Sequence, residues 1–122
     1  MEELIERLVD RCGVDRATGE KSVAIILDFL RKEGPPDKVQ ALLEKMPGAE
    51  ALAATSDQGQ GSGGMFGMGG IMGAANRLMA AGLGMGQVQS VTREVVAFAR
   101  EKAGEDLVGE VVGAIPGLGQ FV

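Results

Sequence analysis

Apolar residues recur along this chain at the spacing of helix faces. Val39, Leu42, Leu43 and Met46 stand at i, i+3, i+4 and i+7, and the same stripe returns at Val108, Val111, Val112 and Ile115. Both stripes run into Pro-Gly, at Pro47-Gly48 and Pro116-Gly117, where proline cannot continue the helical hydrogen bonding and glycine accepts the turn. Upstream, Asp15 is a candidate N-cap for a helix reaching about Glu33, with Val23, Ile26, Leu27 and Leu30 on its buried face and Gly34-Pro35 as its stop. An opening helix over Glu2 to Cys12 sets Leu4, Ile5, Leu8, Val9 and Cys12 against Glu3, Glu6, Arg7, Asp10 and Arg11, and Gly13 ends it.

The second Pro-Gly follows the first by 69 positions, and this offset holds elsewhere without a gap. It pairs Gly13 with Gly82, Phe29 with Phe98, Arg31 with Arg100, Asp37 with Asp106 and Val39 with Val108. Counterpart helices are therefore predicted over Ile71 to Ala81, with a thin stripe of Ala74, Leu78 and Met79, and from after Gly84 to near Gly104, carrying Val91, Val95 and Phe98. Residues 1–54 and 71–122 read as two diverged three-helix repeats, and residues 55–70 as a Gly- and Met-rich linker whose composition predicts a flexible coil. Each repeat falls below the roughly 70 to 80 residues at which a single core begins to suffice. The expectation is an all-α protein in which the copies pack as one bundle of about six helices, the Val39 and Val108 stripes contributing to a shared core.

Composition narrows the partners. The 122 residues hold 45% apolar and 24% charged side chains, a globular balance, with four Phe and no Trp or Tyr. A net charge of -5 opposes the phosphate backbone and argues against nucleic acid. The single Cys12 allows no internal disulfide, and the start, Met1-Glu2-Glu3-Leu4, is acidic where a secretory leader is basic, which predicts a reducing, cytoplasmic setting. The uncharged run from Gln58 to Asn76 is dominated by glycine and argues against a membrane span.

The residues that usually carry chemistry are nearly missing. With no histidine, Ser-His and Cys-His catalysis and ordinary zinc sites are excluded within the chain. Cys12 has Arg11 and Arg16 nearby in sequence but continues an apolar stripe, so it reads as packing. Asp37 and Asp106 suit the first turns of helices, where negative charge favours the dipole, and Glu105 and Glu110 read as solvated. Gly82-Leu83-Gly84-Met85-Gly86 lacks the spacing of a nucleotide loop and reads as a turn between helices. Arg7, Arg11, Lys38 and Lys45 read as a solvated face with i, i+4 pairs. No catalytic residue, cofactor or metal ligand is nominated. Carboxylate or lysine chemistry would need a deep cleft around Glu101, Lys102 or Glu105.

Methionine is the remaining signal. Met65, Met68, Met72 and Met79 fall near one helical face; thioethers are soft ligands for Cu(I), Met-rich surfaces suit adaptable protein recognition, and methionine is also a filler of cores. Met65, Phe66, Met68, Ile71 and Met72 are the candidate contact residues for an unknown protein partner. A small-molecule or Cu(I)-binding protein, using a cavity between the repeats or the Met cluster, is the alternative.

The pieces Leu42-Leu43-Glu44-Lys45-Met46-Pro47-Gly48 and Val111-Val112-Gly113-Ala114-Ile115-Pro116-Gly117-Leu118, repeated across a Gly-rich middle, resemble small bacterial helical proteins of the YidB-like type and neighbouring families of unknown function. The resemblance spans most of the chain. It implies an all-helical fold and a bacterial source, and it carries no activity and no catalytic residue. The methionine content of the middle departs from it. Together these readings favour a non-enzymatic interaction or scaffold module.

Overall fold

A computed structural model describes residues 2–46, 48–52, 70–115 and 118–120, with the backbone alone at 70–72 and 120. These residues are helical, with no strand among them. Helix α1 spans Glu2–Cys12, α2 Arg16–Glu33, α3 Pro36–Glu44, α4 Gly70–Ala80, α5 Met85–Ala103 and α6 Glu105–Ala114, and a 3-10 turn follows at Leu118–Gln120. The predicted linker lies outside the described residues except for Gly70, which opens α4.

The boundaries follow local chemistry. Gly13 and Gly82 adopt φ of 70° and 114°, a region costly for residues with a Cβ, and so let the chain reverse after α1 and α4. Asp15 occupies the N-cap of α2 as expected but makes no side-chain capping bond. Its counterpart Gly84, a residue with no side chain to offer, is instead held by Gln87, whose Oε1 accepts from the Gly84 N–H at 2.9 Å. Helix α3 starts with Pro36 in its first turn, where proline lacks only a donor that would have no helical partner, and carries Asp37 there. It closes at Glu44, where the N–H groups of Lys45 and Met46 donate to the carbonyls of Leu42 and Leu43, three residues back, and so tighten the last turn.

Helix α2 lies deepest. Residues 22–30 are buried without interruption, so every face of that stretch is covered. Two hydroxyls go down with the central helices, each satisfied within its own helix: Ser22 Oγ donates to the Thr18 carbonyl at 2.7 Å and Thr92 Oγ1 to that of Val88 at 2.8 Å. The helices pack crosswise between the N-terminal residues 2–52 and the C-terminal residues 70–120. α1 lies on α5, α4 on α2, α3 on α6, and α2 touches α5. One continuous apolar core results, joining Leu4, Leu8, Leu27, Val39, Leu42 and Met46 to Leu78, Val88, Val91, Val95, Val108 and Ile115. Each fully buried aliphatic side chain of this kind contributes about 1.5–3 kcal/mol.

Two stripes depart from expectation: Val9, set on the apolar side of α1, is 36% exposed because the face turned to the core is held by Leu4, Ile5, Leu8 and Cys12. Ala74 and Leu78 of α4 are buried, but the third buried side chain is Ala75, and Met79 is 38% exposed. The face of α4 turned toward α2 is set by 74, 75 and 78, which leaves Met79 at its rim.

Candidate functional site

A set of charged residues meets at the seams between helices. Arg7 of α1, whose side chain is only 17% exposed, donates to Glu94 Oε1 at 3.2 Å and Glu101 Oε2 at 3.0 Å, both on α5. Arg11, one turn on, also reaches Glu94 Oε1 at 3.2 Å. Beneath this cluster the Phe98 ring takes the Arg7 guanidinium at 5.8 Å and the Lys102 ammonium at 5.3 Å from its centroid, and Lys102 pairs in turn with Glu3 at 3.7 Å. Lys38 of α3 meets Glu110 of α6 at 2.6 Å. Arg11 and Lys38, 60% and 44% exposed, and Lys45 keep the solvated character expected of them, whereas Arg7 is drawn in, and the partners of Arg7, Arg11 and Lys38 lie on other helices rather than at i, i+4. Helical periodicity shows which side of a helix is polar, and only packing shows which polar residues meet another helix.

The buried charged residue among the described ones is Asp28, in the C-terminal half of α2. Its Oδ2 accepts from Arg77 Nη1 of α4 at 3.3 Å and pairs with Lys32 Nζ one turn on at 3.2 Å. Its Oδ1 is buried and finds no hydrogen-bond donor among the described residues. Arginine thus marks both crossings, Arg7 from α1 onto α5 and Arg77 from α4 onto α2. Nothing in the sequence singled out Asp28, because a lone aspartate in an apolar helix gains meaning only from the arginine that another helix brings.

Cys12 is buried, consistent with packing; burial, and then the charge of Glu94, push its thiol above its ordinary value of 9.0, with Arg11 pulling it down. The carbonyl of Cys12, at the end of α1, accepts from Gln87 Nε2 at 3.0 Å. One amide side chain therefore closes the end of α1 and holds the start of α5. Sequence reading missed Gln87, although a glutamine three residues after a candidate cap is the signal that could have found it.

Of the nominated contact residues, Met65, Phe66 and Met68 lie outside the described residues, and Ile71 and Met72 fall in the first turn of α4, with side chains outside them. Glu101 and Lys102 belong to the α1–α5 seam, and Glu105 is exposed at the start of α6; none of them lines a described cavity. Two cavities of about 10 Å³ each lie in the core, one between Leu27, Leu42, Val95 and Val108, the other between Phe29, Leu78, Val88 and Leu118. That is the space of at most one water, and the walls are apolar. Among the described residues no three His, Cys, Asp or Glu side chains gather as a metal site, and no helix is long and apolar enough to cross a membrane. The large apolar residues they leave exposed are Val9, Met79 and Met85, the last 69% exposed.

Compared with known proteins, the chain matches no family model, no curated protein and no solved structure.

Proposed function

We propose that this protein is a non-enzymatic interaction or scaffold module, with the Gly- and Met-rich segment and the methionines beside it as its contact surface. The observation that carries the reading is the exposure of Met79 and Met85 at the α4–α5 turn. Both follow in sequence on Met65, Met68 and Met72, the methionines of the nominated segment. Thioether side chains adapt to varied partners at little cost in specific geometry, which suits recognition. Several charged side chains, Arg7, Arg11, Lys38 and Arg77 among them, meanwhile join helices to one another. A cytoplasmic setting and the likeness to YidB-like bacterial proteins belong to the same proposal.

The architecture proposed with it is two diverged three-helix repeats closing one bundle. In support, α1, α2 and α3 fall against α4, α5 and α6 at nearly one offset, and Gly13 and Gly82 share the positive φ that ends the first helix of each. Exchange of the halves also maps the α1–α5 contact onto the α4–α2 contact and returns α3–α6 to itself.

Affinity capture from the native cell, with the intact chain and with a chain lacking residues 59–72, tests the functional reading. Specific partners should be lost on deletion and weakened by Met85→Ser. An identical set of captured proteins from both chains would refute it.

A further inference from the structure

We propose that a second copy of this chain is a competent partner through the same seams that close the first, so that two copies exchange halves and form a dimer. The basis is the crosswise packing. The contacts of α1 with α5, α4 with α2 and α3 with α6 all join residues 2–52 to residues 70–120, and the described chain passes between these halves once, through the seventeen residues from 53 to 69.

Seven polar contacts cross the same division. Arg7–Glu94, Arg7–Glu101, Arg11–Glu94, Lys102–Glu3, Lys38–Glu110, Arg77–Asp28 and the Gln87 bond to Cys12 each run from one half to the other. Each half thus presents an apolar face and a specific pattern of charges for which the other half is the complement. Neither pattern requires the complement to come from the same polypeptide. Seventeen residues reach at most about 60 Å.

An exchanged dimer repeats every contact of two closed monomers, so the balance is set by the tether, which confers an effective concentration in roughly the millimolar range. Closed monomers therefore dominate at micromolar concentration, and exchange appears on refolding near the millimolar range. The exchanged form then persists on dilution, because leaving it requires opening the core.

Two full-length chains test this. One carries Glu3→Lys and Lys38→Glu in its first half, the other Lys102→Glu and Glu110→Lys in its second. Each closed monomer then contains two like-charge pairs, whereas the exchanged heterodimer restores every pair. Refolding the mixture from denaturant near millimolar concentration should give a heterodimer in roughly tenfold excess over either homodimer by native mass spectrometry, at the scale of exposed ion pairs. Mixing the folded chains should give none. A parallel refolding of nitrogen-15-labelled and unlabelled wild-type chains should yield a mixed-mass dimer that survives dilution. No dimer in either experiment, or heterodimers no more abundant than homodimers, overturns the proposal.

Discussion

Two glycine-to-alanine substitutions, identical in chemistry, should move stability in opposite directions. At Gly34, between α2 and α3, an added Cβ would lie 2.8 Å from the Leu30 carbonyl oxygen and 2.8 Å from Val39 Cγ2, with Ile115 Cδ1 at 3.5 Å. The carbonyl cannot yield without disturbing the 2.8 Å bond it accepts from the Gly34 N–H, which closes α2. Val39 is itself buried, so the strain passes into the contact between α3 and α6. Overpacking of this kind costs about 1–3 kcal/mol. At Gly109, inside α6, the new methyl meets nothing within 4 Å, and replacing a helical glycine by alanine stabilises by about 0.5–1 kcal/mol. Thermal unfolding followed by circular dichroism should therefore show Tm lowered by roughly 4–12 °C for Gly34→Ala and raised by roughly 2–4 °C for Gly109→Ala, at a conversion of about 4 °C per kcal/mol for a chain of this size. A Gly34→Ala protein as stable as wild type would refute the account of the α2–α3 junction, and a destabilised Gly109→Ala protein would refute the assignment of that face to solvent.

Other substitutions probe the seams. Asp28→Met should cost about 2–3 kcal/mol in urea unfolding, at the lower edge of what breaking a buried pair costs because Arg77 is partly exposed, and adding Arg77→Met should recover part of it. Additive single effects would show that the pair is not coupled. Gln87→Ala removes two hydrogen bonds and should cost about 1–2 kcal/mol, with faster amide exchange at the end of α1; unchanged exchange there would sink the stapling role. Cys12 should react with iodoacetamide far more slowly in the native protein than in urea. Its folded pKa is raised, so the stability it contributes is complete below the unfolded value of about 9 and is lost as pH climbs from there through the raised one. Cys12→Ala should remove that part of the alkaline decline, and an identical pH profile in the variant would contradict the assignment.

The helices were legible because their signals are local. Stripes at 3.6-residue spacing, glycines able to take positive φ and prolines that stop a helix are properties of short windows, and they placed α1 at its observed ends and α2, α3, α5 and α6 within a few residues of theirs. Alanine and glycine leave only a thin stripe in α4, and there Met79, a member of that stripe and of the methionine face alike, stands at the rim. The polar chemistry was less legible. Asp28, Arg77 and Arg7 are ordinary residues in their own helices, and each acquires its role from a partner at least 49 positions away; Gln87 caps its own helix locally, but its bond to Cys12 spans 75 positions. Which helix lies on which is decided by how apolar faces of similar composition fit together, since burial is non-directional and rewards any close packing. The chain thus specified its helices by itself, whereas the crosswise seams, the burial of Asp28 and the exposure of Met79 arose only when residues distant along it were brought within contact range.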